Sequence, residues 1–401
     1  MSNKRIVFLT GSGFTCSSEF SSITTKILTE KLKNEKFNLF HFKKIKIAKI
    51  IDKILKKHYG LPSKINDYNV INFETIIYFV EELYSFLESK KLISNADYKG
   101  INASLFKLKD YIFLTFLNKR SNLNASIVQE VFLKMISLII NEFKKFNSDS
   151  ANIGMNNFFK NFIDIYFKDS QWTKRFYTLN YDSWILNYKN YFDGFKISGE
   201  FDPESVLINK IDENSHYNLH GCITWHPDLS EFRYKRNNII FNPVGVGQPP
   251  DFGVDREPII RTPIITGYNK LTRVNFSPFM EFNYSFQRDL LDCEFLIIIG
   301  YSFHDTHINN ILKLFTYNNH SNKKVVIVDY FNDYTDNDKF DLIRYDDDIL
   351  KYLQRMNPYH VSLLECKVDD NDFITSNDES IKIWFKGIGN EFYDKWNSII
   401  K

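Results

Sequence analysis

Residues 295–329 read FLIIIGYSFHDTHINNILKLFTYNNHSNKKVVIVD and contain two short apolar runs separated by a polar segment with a helical pattern. The first run, FLIII, ends at Gly300, and the second run ends at Asp329. Continuous, β-branched runs of this length are typical of strands buried on both faces of a parallel sheet. A strand, a glycine turn, a helix over about 306–317 and a second strand form a βαβ unit. This stretch therefore predicts an α/β protein with a doubly wound, Rossmann-like parallel sheet.

The amino terminus repeats the same pattern. Residues 5–10, RIVFLT, read as a buried strand, residues 11–13 as a glycine turn, and a helical pattern begins near Ser18. Further strands are predicted at 175–179, at 217–219 and at 258–265, the last interrupted by Pro263. In the carboxy-terminal part we predict helices near 341–355 and 380–400, and a loop rich in glycine and proline at 243–253.

Residues 20–170 read as mostly helical, with five or six helices. Apolar residues recur at helical spacing in three segments, namely Ile47 to Ile54, Phe73 to Leu87 and Val128 to Leu138. We therefore expect three regions. Residues 1–36 and 171–335 form the sheet core, residues 37–170 form a large inserted helical subdomain, and residues 336–401 form a carboxy-terminal α/β extension packing on the core.

Composition narrows the class of protein. The chain has 401 residues, of which 43% are hydrophobic and 25% charged, as in soluble globular proteins. The net charge is only +2, so the global charge says nothing about a polyanionic partner. Four scattered cysteines with no CxxC pair argue against a disulfide framework and against a zinc module. The amino terminus is not a signal peptide, and no apolar run spans a bilayer, so we expect a cytoplasmic protein without membrane association.

Polar residues follow the predicted strand after residue 175. Thr178, Asn180 and Asp182 lie where the carboxyl ends of parallel strands converge on a ligand crevice. An amide and a carboxylate two residues apart can hold ribose hydroxyls and a water molecule. The same residue types also cap helices, and this segment alone leaves both interpretations open.

His220-Gly221 follows the next predicted strand. A neutral histidine can act as a base on a hydroxyl group or on water. A single histidine is more often structural, but the glycine beside it indicates that something approaches the backbone closely. His226 is the competing candidate, and Pro227 next to it suggests a loop.

The remaining candidate residues lie at glycine turns and at one acidic strand end. Gly11-Ser12-Gly13 can expose backbone N–H groups to a pyrophosphate, although such turns are also formed for steric reasons. Cys16 stands where the dinucleotide fingerprint has its third glycine. Gly300 and Ser302 suit contact with phosphate or ribose. Asp305 is alternatively a helix N-cap, and Asp329 either holds an adenosine ribose or is a solvated turn residue.

Taken in order, these motifs resemble the sirtuin superfamily over residues 1–20 and 170–335. The family's glycine turn is similar to GSGFT at 11–15, and its Asn-containing strand end to TLNYD at 178–182. Its catalytic histidine-glycine pair is similar to HG at 220–221, and its phosphate turn to GYSF at 300–303. LHGCITW and IIIGYSFHDTHINNIL resemble sirtuin-like effectors of bacterial antiphage defence. Sirtuin deacylases carry paired CxxC motifs and an Asp-Phe-Arg segment that this chain lacks, and Leu179 replaces their glutamine. These departures speak against protein deacylation.

The resemblance implies roles for the candidate residues. NAD+ is expected as substrate, with no metal. The implied catalytic residues are Asn180, His220 and Asp182. The implied NAD+-binding residues are Gly11, Ser12, Gly13, Thr15, Thr178, Gly300, Tyr301, Ser302, Asp305 and Asp329.

The implied function is an NAD+ glycohydrolase that depletes NAD+ in abortive infection and is activated within a complex. The resemblance implies a homo-oligomer, or a partner such as a HerA-type ATPase or a short Argonaute module. Residues 26–57 hold eleven lysines and three acidic residues, which form either a solvated helix face or a docking surface for an acidic partner or nucleic acid. The alternative functions are ADP-ribosyl transfer or deacylation, an NAD+/ADP-ribose-sensing regulatory module, and a generic α/β protein.

Overall fold

A computed structural model describes the chain in segments. These are residues 4–16, 25–40, 43–51, 72–94, 124–145, 160–162, 164, 172–183, 191–208, 213–228, 233–237, 251–252, 258–267, 270–303, 305–317, 323–329, 367–368, 373–375, 379–384 and 386–400. The helix predicted at 341–355 and most of the loop predicted at 243–253 lie outside these residues. Within the described segments, no helix has both the length and the apolar character that a bilayer span requires.

The described elements alternate between strands and helices. The strands are β1 (Lys4–Thr10), β2 (Phe37–Phe40), β3 (Lys43–Ile45), β4 (Trp172–Thr178), β5 (Ser215–Asn218), β6 (Trp225–Asp228), β7 (Arg233–Arg236), β8 (Asp251–Phe252), β9 (Pro258–Ile259), β10 (Phe295–Ile299), β11 (Lys324–Val328), β12 (Lys367–Val368), β13 (Ile374–Thr375) and β14 (Ile381–Trp384). The helices are α1 (Ser12–Cys16), α2 (Thr25–Asn34), α3 (Phe73–Ser94), α4 (Ala125–Lys145), α5 (Pro203–Ile208), α6 (Lys270–Arg273), α7 (Phe279–Asp292), α8 (Thr306–Leu312), α9 (Leu314–Tyr317) and α10 (Asn390–Ile400).

Eight strands form the main sheet, in the order β12-β13-β14-β11-β10-β1-β4-β5. The six from β14 to β5 pair in parallel, whereas β12 and β13 are antiparallel additions at one edge. Numbered by their position in the chain, the six parallel strands lie in the order 6-5-4-1-2-3, which is that of a doubly wound dinucleotide-binding sheet. The α/β, Rossmann-like class predicted from the sequence is confirmed, and the strand order reverses between β1 and β10.

Both faces of this sheet are covered. Val7 and Leu9 of β1 belong to one hydrophobic cluster, and Ile6 and Phe8 belong to a second cluster. Every residue of β4, β5 and β10 is buried. Since successive side chains of a strand point to opposite faces, both faces are covered by packed side chains. This explains why these strands read as continuous apolar runs.

The helical segment shares a hydrophobic cluster with the sheet. Ile77 and Val80 of α3 lie in the same hydrophobic cluster as Val7 of the central strand. Phe143 of α4 contacts the Tyr181 ring edge-on at a centroid distance of 5.7 Å. These helices thus form a layer on the core.

Departures from the predicted elements have local causes. β2 and β3 form an antiparallel hairpin within the segment predicted as mostly helical. The predicted strand at 258–265 is continuous strand only at β9, and beyond it Ile264 forms an isolated antiparallel bridge with Gly221. The predicted helix at 380–400 begins only at Asn390, because residues 381–384 alternate as IKIW and pair with β11. The carboxy-terminal extension thus continues the main sheet.

A buried ion pair joins the helical layer to the core. Arg273 of α6 donates from Nε and Nη2 to Glu81 Oε1 of α3, at 3.1 and 2.5 Å. We expect Arg273→Gln to lower the free energy of unfolding by about 3 kcal/mol, because it leaves a buried carboxylate without its partner. Lys134→Ala removes an exposed ion pair with Glu130 and should change the free energy of unfolding by about 0.5 kcal/mol or less. Urea unfolding measures both, and equal losses would contradict this account.

Candidate functional site

The two glycine turns meet where the strand order reverses. Gly11 N donates to Ile299 O at 3.0 Å, and Gly13 N donates to Gly300 O at 2.9 Å. A Cβ atom on Gly11 would lie 2.5 Å from Gly300 O, so the close approach of the two backbones requires glycine. These N–H groups are therefore engaged within the protein. The exposed polar side chains of the two turns are Ser12 and Ser302.

The predicted residues after β4 lie together, and Thr15 joins them. Asn180 Nδ2 donates to Thr15 Oγ1 at 3.0 Å, and Thr15 Oγ1 donates to Asp182 Oδ2 at 3.3 Å. Thr178 Oγ1 accepts hydrogen bonds from Asn180 N at 3.1 Å and from Thr10 Oγ1 at 2.9 Å. The side chains from α1 and from the end of β4 thus form one connected polar group.

Asn218 at the end of β5 holds the backbone of this polar group by hydrogen bonds. Its Nδ2 atom donates to the carbonyls of Asn180 and Asp182, each at 3.2 Å. Sequence reasoning missed Asn218, although it stands two residues before His220 in NLHG.

His220 is buried and contacts a second histidine. Its side chain is 2% exposed, and its Nε2 atom lies 3.2 Å from Nε2 of His307 in the first turn of α8. Burial lowers the pKa of His220 well below its usual value, so the imidazole is neutral at neutral pH. Ile265 N donates a hydrogen bond to His220 O at 2.8 Å, which holds the backbone of His220 against the segment around Ile265. His307 was not among the predicted site residues.

Gly221 is required by its conformation and its surroundings. Its φ is +86°, and a Cβ atom there would lie 2.1 Å from Pro263 O. The close approach that the histidine-glycine pair suggested is thus made by the protein's own backbone.

Asp305 occupies the N-cap position of α8, but its side chain makes no capping hydrogen bond. Its Oδ1 atom instead accepts a hydrogen bond from Lys270 Nζ at 2.6 Å and lies 3.8 Å from His307 Nδ1. Burial by itself would raise the pKa of Asp305, but positive charge beside it, on His220 when that ring is protonated and on Lys270, lowers the pKa to about 2. Lys270 also pairs with Glu74 of α3 at 2.9 Å. The helical layer is thus connected to the histidine pair.

Tyr301 braces the second glycine turn from within. It is buried, and its hydroxyl, with one proton to donate, lies 2.8 Å from Asn309 Oδ1 and 3.1 Å from Asp305 O. Asn309 Nδ2 donates to Phe303 O at 2.6 Å. The Tyr301 side chain therefore shapes the turn and the helix start.

Asp329 lies at the end of β11, apart from the polar group after β4. Its backbone N donates to Trp384 O, and its carbonyl accepts from Gly387 N, both at 2.8 Å. The side chain is half-buried.

Three side chains could together approach a metal ion. His220, Asp305 and His307 each offer one ligand atom, and these atoms lie within 4.8 Å of one another. The ammonium group of Lys270, 2.6 Å from Asp305 Oδ1, opposes a second cation there. In the described residues no such group contains a cysteine, and the described free thiols, Cys222 and Cys293, are buried.

The order of the candidate residues along the sheet edge differs from their order in the sequence. Along the carboxyl edge, the order of the strands β11, β10, β1, β4 and β5 gives Asp329, Ser302, Ser12, Asn180 and His220. Four inter-strand spacings of about 4.8 Å separate the outer strands by about 19 Å. The contact of His220 with His307 joins the segments that follow β5 and β10, on either side of the β1–β4 pair. Of these side chains, Ser12 and Ser302 are exposed at the strand-order reversal, whereas Asn180 and His220 are buried.

Burial of neutral histidines makes the fold sensitive to acid. Burial lowers the pKa of His307 from 6.5 to about 4. Between these values the unfolded chain binds a proton that the folded chain excludes, so this contribution is full above pH 6.5 and falls toward pH 4. From about pH 7.5 to about pH 5, His307 should lower the free energy of unfolding by on the order of 2 kcal/mol. Urea titrations should show a smaller pH dependence in His307→Gln, and the same dependence would contradict this assignment.

Comparison of the sequence with protein-family models and with curated proteins finds no match to either.

Proposed function

We propose that this chain is an NAD+ glycohydrolase, which cleaves NAD+ to nicotinamide and ADP-ribose. The observation that carries the proposal is the order of the candidate residues along the sheet edge. The edge presents, in order, an acidic residue for the adenosine ribose and two serines for the pyrophosphate. An amide and then a histidine follow for the nicotinamide ribose. This is the order of the same groups along a dinucleotide.

The polar group after β4 suits the ribose end of the substrate. The C1′–nitrogen bond breaks through an oxocarbenium-like state, and its electron pair neutralises the cationic nicotinamide, so no general acid is needed. The protein must hold the ribose and place a water molecule. Asn180 and Asp182, both bonded to Thr15, orient the ribose and the water, and the negative charge of Asp182 stabilises the developing positive charge.

His220 completes the reaction as the base. The water oxygen bonds to C1′, and the proton released passes to the imidazole. The neutral state that burial imposes on His220 leaves a lone pair available for this proton.

The glycine turns bind the pyrophosphate through the side chains that they expose. Ser12 and Ser302 donate hydrogen bonds to it, and Gly11, Gly13 and Gly300 let the two turns approach each other. Asp329 accepts hydrogen bonds from the adenosine ribose.

Burial of the reactive end supports a restrained enzyme. Asn180 is 8% exposed and Asp182 is 9% exposed, so substrate reaches them only after a rearrangement. We therefore propose an effector of antiphage defence that is activated by assembly, either with further copies of itself or with a HerA-type ATPase or a short Argonaute module.

The same burial also favours a second candidate, a module that senses an ADP-ribose-type ligand. Its exposed serines would bind the pyrophosphate while the buried residues only shape the fold. An ADP-ribosyltransferase or deacylase would use the same substrate but would modify an acceptor.

The test is incubation of the full chain with NAD+, alone over a range of concentrations and with each candidate partner, followed by chromatography. We expect nicotinamide and free ADP-ribose in equal amounts. NAD+ that binds but stays intact with every partner would favour the sensor, and nicotinamide with a modified acceptor would favour transfer. If NAD+ does not bind, the proposal is wrong.

A further inference from the structure

The contact between His220 and His307 constrains where each ring carries its proton. Their Nε2 atoms are 3.2 Å apart, a distance at which one nitrogen donates and the other accepts. Burial lowers the pKa of both side chains, that of His307 to about 4, so both rings are neutral at neutral pH. Each ring therefore has one N–H group and one lone pair. Two arrangements of the protons satisfy the contact.

Asp305 distinguishes the two arrangements. Its Oδ1 atom lies 3.8 Å from Nδ1 of His307, the ring nitrogen that does not contact His220. The carboxylate is also near His220, because ligand atoms of the three side chains lie within 4.8 Å of one another. A carboxylate favours an N–H group on the nitrogen that faces it and disfavours a lone pair there. The carboxylate is held in place by Lys270, which in turn pairs with Glu74.

We propose that His307 is a positioning residue that fixes the tautomer of His220. His307 carries its proton on Nδ1, facing Asp305, and its Nε2 atom accepts a hydrogen bond from Nε2–H of His220. The lone pair of His220 is then on Nδ1. This assignment of protons rests on the contacts of the two rings and on their neutral state.

The role of the tautomer in catalysis rests on the proposed function. The atom of His220 that receives the proton from water is Nδ1. As that proton arrives, His220 becomes a cation, and its Nε2–H bond to His307 strengthens because charge-assisted hydrogen bonds are stronger than neutral ones. His307 thus orients the base before the reaction and stabilises it afterwards, in the way that a carboxylate orients the histidine of a hydrolase triad.

Nitrogen NMR of the full chain, labelled with 15N in its histidine rings, tests the tautomers directly. The chain has nine histidines, and the signals of the pair are assigned from His220→Gln and His307→Gln. We expect protonated Nε2 in His220 and protonated Nδ1 in His307. The reverse arrangement would overturn the proposal. So would a metal ion held by both Nε2 atoms, which elemental analysis of the same sample detects.

Asp305→Asn tests the cause of the preference. The substitution removes the charge and keeps the size of the side chain, so the share of His307 protonated on Nδ1 should fall. An unchanged share would show that Asp305 does not set the tautomer.

Kinetics test the consequence for the proposed reaction. We expect His307→Leu to lower kcat about 100-fold with little change in KM, because substrate contacts remain while the base is misoriented. His307→Gln can present a carbonyl oxygen to His220 Nε2–H and should restore part of the rate. Equal rates in both variants and the wild type would overturn the positioning role.

Failure of this proposal is distinguishable from failure of the proposed function. If the wild-type chain does not cleave NAD+, the function is wrong, but the NMR signals still decide the tautomers. If cleavage requires His220 and is unaffected by His307→Leu, the positioning role alone is wrong. If His307→Leu does not fold, the wild-type NMR spectrum decides.

Discussion

Asn180→Ala and His220→Ala should each lower the rate of nicotinamide release about 100-fold or more. Asn180→Ala removes the amide bonded to Thr15, and with it the orientation that we propose it gives to the ribose and the water. His220→Ala removes the proposed base, a change that typically costs between about 100-fold and 10,000-fold. Both effects should appear mainly in kcat, because the exposed serines that we propose bind the pyrophosphate remain.

Matched controls separate chemistry from folding. Asn214→Ala changes an asparagine at the opposite end of the sheet, where its Oδ1 accepts a hydrogen bond from Lys174 N at 2.8 Å. His226→Ala changes a partly exposed histidine on β6. Both controls should release nicotinamide at rates close to wild type. Normal rates in Asn180→Ala and His220→Ala would remove these two residues from the mechanism.

Gly300→Ala should destabilise the fold severely. Gly300 has a φ of +57°, and a Cβ atom there would lie 2.3 Å from the backbone of Gly13 and Phe14. Left-handed strain adds about 1–2 kcal/mol for a residue with a side chain. Overpacking adds about 3 kcal/mol, because the neighbours are backbone atoms that cannot rotate away. We expect the free energy of unfolding to fall by about 4 kcal/mol or more.

Gly389→Ala is the control for Gly300→Ala. No atom lies within 4 Å of a Cβ atom built at Gly389. The free energy of unfolding of Gly389→Ala should therefore stay within about 0.5 kcal/mol of the wild-type value. Thermal and urea unfolding measure both variants. A small effect at Gly300 would show that the two glycine turns are further apart than described here.

The sheet was predictable because its central strands are buried on both faces. FLIII at 295–299 and RIVFLT at 5–10 are continuous apolar runs, and both form strands that pair with each other in parallel. The hairpin of β2 and β3 and the short β14 were missed. Short strands such as these are stabilised by their partners rather than by their own sequence.

For the candidate site, the sequence predicted only which residues lie at the ends of strands. The turn after Gly11 and the segment after Thr178 lie at the same edge because parallel strands must place them there. The contact of His220 with His307 joins residues 87 apart, and Lys270 reaches Asp305 over 35 residues. Such contacts depend on how loops fold over the edge, which no periodic pattern encodes. The sequence left open whether the glycines serve phosphate or packing, and the backbone distances supply a packing reason.

The central claim is that one NAD+ molecule crosses the edge of the sheet at the strand-order reversal. A crystal structure of full-length His220→Ala with NAD+ tests it most directly, since the missing base preserves the substrate. We predict the nicotinamide ribose beside Asn180, the pyrophosphate between Ser12 and Ser302, and the adenosine ribose at Asp329. NAD+ bound elsewhere, or lying across the edge in the opposite direction, would contradict the claim.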